Sequence, residues 1–245
     1  MFARLLERAR NADGLWVSRL RASTAEVLDP RTPDTWGYAL GALAAFARAA
    51  GEPSLEAAAR KALGSIDRPA YLDWQGADSY ADSIEGALLV LNRFRDEEAR
   101  VAPWLEKVLP LFLSRQRDDG IVEGWYGDGN YARTALMAAL YCTQGARCEP
   151  WRPDLRLGAV RQGEVLRLAL SADSPWEGRI VVDGPRHREH LRLPVNYPRL
   201  NEFPEWFTVE ADSAYAASVA GHRRQASGRE LRAGLSVHVS PGRPL

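Results

Sequence analysis

Residues 118–130, Asp-Asp-Gly-Ile-Val-Glu-Gly-Trp-Tyr-Gly-Asp-Gly-Asn, hold four acids, four glycines and two aromatic side chains in thirteen positions. A bare connection between helices needs only a few residues, so a stretch of this length and composition points to function. Glu123 and Asp128 within it, and Asp82 and Glu85 upstream, are the candidates for a pair of carboxylates that divide general acid and general base work between them. Acids interleaved with Trp and Tyr suit a sugar, whose apolar ring face lies on a flat aromatic surface while carboxylates take its hydroxyls. Trp36, Tyr80, Trp125 and Tyr126 are the aromatic candidates, joined by Asn130, Tyr131 and Arg133.

Bland readings compete with these roles. Asp34, Asp82 and Asn130 each precede an apolar run and would each contribute about 1 kcal/mol as helix N-caps. Glu85 lies three residues after Asp82, the spacing of a capping box. It also shares a repeat position with Arg133, which offers it an ion-pair partner. Trp36 and Trp74 would be core side chains, the commoner fate of tryptophan in helical arrays.

The elements that must position these residues follow from a repeat. Asp34-Thr35-Trp36, Asp82-Ser83-Ile84 and Asn130-Tyr131-Ala132 start 48 residues apart, and each leads to an Ala-Leu pair in register, at Ala39-Leu40, Ala87-Leu88 and Ala135-Leu136. A period of this size marks helical hairpins that stack because none buries its apolar face alone. Weaker helical segments at Ser54–Ser65 and Val101–Arg115 supply the outer helices. Gly51 and Gly145 stand where C-caps belong, and Pro53 and Pro103 near outer-helix starts. Inner-helix N-termini then share one hollow and offer it unpaired N–H groups. Leu5–Gly14 repeats the character of Leu111–Gly120, the end of an outer helix, so the chain reads as starting in mid-hairpin. An exposed apolar edge beside Leu5, Leu6 and Trp16 would mark a missing neighbour.

After Trp151-Arg152-Pro153 the period shortens to that of strands. Glu164–Leu170, Gly178–Val182, Phe207–Val209 and Leu235–Val239 alternate or run apolar between Gly and Pro punctuation, predicting a small antiparallel β domain. Pro185-Arg186-His187-Arg188-Glu189-His190 adds a second polar cluster; its two histidines lack a third ligand, and no metal or cofactor is expected. It also reads as part of an aromatic-rich strap packing the β domain on the helices.

Bulk composition narrows the partners. Thirty-two cations balance 32 anions, which leaves no basic field for nucleic acid or an anionic membrane. Met1–Arg8 is charged and amphipathic, neither signal peptide nor membrane span, so the chain as written is cytoplasmic unless it is a piece of a longer secreted protein. Cys142 and Cys148 are expected to be free thiols.

The repeat, the Asp-Gly and Glu-Gly-Trp turns before inner helices, and the β segment after them resemble the α/α-toroid carbohydrate-active proteins: six-hairpin glycosidases and toroid polysaccharide lyases. The fold class expected is α+β, with a partial α/α toroid of helical hairpins over 1–150 and a small antiparallel β-sandwich over 151–245. The resemblance implies hydrolysis through Asp82, Glu85, Glu123 or Asp128, or β-elimination from a uronate with Tyr131, Asn130, Arg133 and His187 as candidates. A non-catalytic glycan-binding or scaffold module, and an inactive fragment, are the alternatives. Leu113–Ile121 also resembles turns of terpene cyclases, whose Asp-rich initiator motif is absent. A closed ring of about six hairpins needs roughly twice the helical length present. Self-association or hairpins upstream of the chain would complete it.

Overall fold

The computed structural model of the chain describes residues 8–74, 76–122, 129–194, 196 and 203–242. The chain packs as two compact units, Met1–Ala138 and Ala139–Leu245, so the division runs through a helix. Helices dominate the first and antiparallel strand pairs the second.

The first unit opens with a short antiparallel pair, β1 (Arg19–Leu20) and β2 (Val27–Asp29). Then come α1 (Trp36–Ala50), α2 (Pro53–Leu63), α3 (Ala77–Arg93) and α4 (Glu98–Leu113), and α5 (Asn130–Thr143) crosses into the second unit. The helices pack in sequence-adjacent and next-but-one pairs: α1 packs on α2 and α3, and α3 packs on α4. The α1–α2 turn shows why the hairpin closes. Gly51 takes the left-handed conformation at φ +65° and returns its N–H to the Ala47 carbonyl; Pro53, with its fixed φ, opens α2. On α2, Leu55, Ala59, Ala62 and Leu63 recur at helical spacing and are buried.

Three expectations need correcting. Asp82 is not an N-cap: α3 begins at Ala77 behind an extended Gly76, and Asp78 supplies first-turn negative charge. Nor does α1 carry a side-chain cap at its start. The 48-residue register therefore marks where helices face one another, not where they begin. Pro103 lies inside α4, as does Pro110, because the preceding 3₁₀ turn Arg95–Glu97 lets the helix start at Glu98. Trp16 is only 3% exposed and lies beneath the Arg10 guanidinium, 5.2 Å from the ring centre, so it marks no open edge. Leu5 and Leu6 fall outside the described residues.

The likeness of Leu5–Gly14 to Leu111–Gly120 extends to backbone geometry. Gly14 (φ +80°) and Gly120 (φ +84°) each close a turn, donating to the carbonyls of Asn11 and Arg117 at 3.0 and 2.8 Å. Bridges Arg10–Trp16 and Gln116–Val122 flank the two turns equivalently. In the inner-helix register, Leu40 and Leu88 are wholly buried whereas Leu136 is 54% exposed. The first two helices are each followed by an outer helix; α5 is followed by a strand.

In the second unit, β3 (Arg147–Glu149), β6 (Trp176–Val181) and β9 (Leu235–Val239) form a three-stranded antiparallel sheet. Strands β4 (Arg156–Gln162) and β5 (Val165–Ser171) form one hairpin, β7 (Ala214–Val219) and β8 (His222–Ser227) another. Leu170 of β5 shares an apolar cluster with Cys148, Trp176, Ile180 and Val237 of the three-stranded sheet. Val182, Val209, Ala226 and Leu231 form a second cluster. Phe207–Val209 is not a strand: Thr208 makes one isolated bridge with Asp183. The β7–β8 pair escapes the sequence reading because β7 is Ala-rich and β8 carries paired arginines. Short helices α6 (Arg186–Glu189) and α7 (Gly228–Ala233) complete the unit, α7 entered through a Ser227–Glu230 capping box. Both cysteines are free thiols.

Arginine pairing sets an acid limit on stability. Arg31 hydrogen-bonds Asp29 and holds its carboxyl down at about 2, from an ordinary 3.8. Glu149 is lowered by Arg147 and Arg179, Asp154 by Arg152, and Glu189 by Arg232. A carboxylate with a lowered folded pKa adds stability above its unfolded value and loses it as pH falls through the folded one. The urea midpoint is therefore expected to fall between pH 3.8 and about 2, and a midpoint constant across that window would show that these pairs add nothing.

Candidate functional site

The N-terminal portions of α1, α3 and α5 meet in the first unit. Their closest approach is between glycines: a Cβ on Gly37 would stand 2.3 Å from the Gly86 Cα, and one on Gly86 2.6 Å from the Gly37 Cα. No other residue pair lets two helix backbones come so near. Gly86 follows Asp82 by one turn on the same face of α3, so this contact fixes what can reach Asp82.

What reaches it comes from both neighbouring helices. The Tyr38 hydroxyl of α1 donates to Asp82 Oδ1 at 2.9 Å, and Asn130 Nδ2 of α5 donates to the same oxygen at 3.2 Å. Asn130 Nδ2 also lies 3.2 Å from Asp78 Oδ1. Arg133 closes the network: its Nη2 pairs with Glu85 and donates to Asn130 Oδ1. Asp82–Asn130 and Glu85–Arg133 are both partners one repeat apart, so the period is written in contacts as well as in sequence.

The two carboxylates of α3 differ in environment. Glu85 is 2% exposed and survives burial through the Arg133 guanidinium, itself 42% exposed on its outer side. Asp82 is half-buried and meets only neutral donors, both on Oδ1; Oδ2 accepts no hydrogen bond from the described residues. Such an oxygen can take a ligand hydroxyl, whereas Glu85 is already committed. Among the described residues no group of His, Cys, Asp and Glu has the makings of a metal site.

The other expected site residues have different places. Trp36 is 1% exposed and meets Trp104 edge-on at 5.7 Å, so it is core between α1 and α4 and not a platform for a ring. Tyr80, two positions from Asp82 and so on the opposite face of α3, is buried with its hydroxyl donating to Asp73 Oδ1 at 3.3 Å. Burial, then the Asp73 charge, raises its phenol above the ordinary value. Tyr131 is buried at 5% exposure. His187 belongs to the second unit and binds Glu205. Glu123, Trp125, Tyr126 and Asp128 lie outside the described residues. Tyr38 and Asp78 are contributors that the catalytic and binding candidates omitted; Tyr38 stands one turn beyond Asp34, which takes no part. Comparison with protein-family models, with curated proteins and with solved structures gives no match.

Proposed function

We propose that the seam between α1, α3 and α5 binds a carbohydrate, with Asp82 taking a sugar hydroxyl on Oδ2 and Tyr38 and Asn130 orienting its carboxylate. The observation that carries this reading is the half-buried Asp82, held through Oδ1 by two neutral donors from different helices, its other oxygen left to a ligand. On this reading the helical unit is an arc of an α/α toroid and the second unit a β-sandwich. Hydrolysis would require a second carboxylate from Glu123 or Asp128, because Glu85 is neutralised by Arg133. That neutralisation favours the alternative of glycan binding without cleavage. Chain neutrality speaks against nucleic acid, and among the described residues no helix is long and apolar enough to cross a membrane.

Calorimetric titration with a panel of neutral and acidic oligosaccharides tests the proposal. Asp82→Asn keeps the side-chain shape and an acceptor for Tyr38 but removes the charge. It is expected to weaken binding about ten- to hundredfold, the worth of a charged hydrogen bond. Equal affinity in the variant would remove Asp82 from the site, and product release from any bound oligosaccharide would decide between cleavage and binding.

A further inference from the structure

In the second unit a buried carboxylate grips one histidine at two points. Glu205 is 4% exposed; its Oε2 lies 2.7 Å from His187 Nδ1, and its Oε1 accepts the His187 backbone N–H at 2.6 Å. This clamp fixes the ring and places its proton on Nδ1, because the acceptor opposite Nδ1 is an anion. The far nitrogen, Nε2, makes no hydrogen bond to any described residue and is not among the buried, unsatisfied polar atoms. The His187 side chain as a whole is 17% exposed. Nε2 therefore keeps its lone pair free of any described donor, on a side chain that is only partly enclosed.

Surrounding charges define what such a nitrogen would meet. Arg186 pairs with Asp183, Arg188 with Glu210 and Arg232 with Glu189. These three cations are each compensated by a carboxylate.

We propose that the His187–Glu205 pair is a general-base site that accepts a proton from a neutral ligand hydroxyl. The O–H proton moves to Nε2, the bonding pair stays on the ligand oxygen, and the Glu205 carboxylate orients the ring and faces the imidazolium that results. This proposal does not depend on sugar binding at Asp82.

Diethyl pyrocarbonate reads the lone pair directly. Nε2 attacks a carbonyl carbon, ethyl carbonate leaves, and the Nδ1 proton is released as the neutral acylated ring forms. The chain has four histidines, and His190, His222 and His238 are all more exposed than His187. Peptide mapping of the intact chain is expected to show His187 acylated fastest, and Glu205→Gln to slow it about tenfold while leaving the other three unchanged. Nitrogen-15 shifts of the unsubstituted chain, which need no folded variant, are expected to show the Nδ1–H form. His187 acylated slowest, as burial alone dictates, or protonated on Nε2 would overturn the assignment.

Discussion

Replacing Arg133 with alanine is expected to destabilise the first unit by about 3 kcal/mol, the low end of what stranding one partner of a buried pair costs. The low end applies because Arg133 keeps its outer side in water, while Glu85, at 2% exposure, has no route to it. Glu85→Gln should cost much less, since the neutral amide needs no counter-ion and the arginine left behind can hydrate. The asymmetry is the informative part. Equilibrium urea unfolding of both variants at neutral pH measures it, and equal losses would mean the pair acts as a surface ion pair of little consequence.

The Gly86→Ala substitution should be nearly as damaging. In an open helix interior, alanine would stabilise by about 1 kcal/mol relative to glycine. Here the added carbon would sit 2.6 Å from the Gly37 Cα, against backbone that cannot swing aside. The helices must part, at a net cost of about 2 kcal/mol in lost packing. Parting them also carries Tyr38 away from Asp82, so the variant should lose ligand affinity along with stability. Unfolding and titration of the same sample check both, and a stabilised variant would show that α1 and α3 do not cross at this pair.

These two predictions also show what the sequence made legible. The 48-residue period identified the inner helices, and it identified Glu85–Arg133 as equivalent positions able to pair. Equivalence says nothing of rotation about a helix axis, which is why Trp36 and Tyr80 were candidates beside Asp82 although both turn into the interior. Helix starts were misplaced because Asp82 has the chemistry of a cap, and only Gly76 and Asp78, six and four residues earlier, allow α3 to begin before it. In the second unit, β5, β6 and β9 were legible because their residues are β-branched or Leu-rich. The β7–β8 hairpin was not, since Ala and Arg carry little strand preference. Glu205 gave no signal: its role depends on a fold that brings it eighteen positions back to His187.

The central claim is that side chains from three helices converge on Asp82 to form a ligand site. The most direct measurement is a titration of nitrogen-15-labelled chain with the oligosaccharide that binds best, following the Asn130 side-chain amide, which donates to Asp82. The account predicts that this resonance shifts with the binding isotherm in the unsubstituted chain and, in Asp82→Asn, shifts only at about ten- to hundredfold higher ligand. An Asn130 amide that is unmoved at saturation, while other resonances shift, would contradict it.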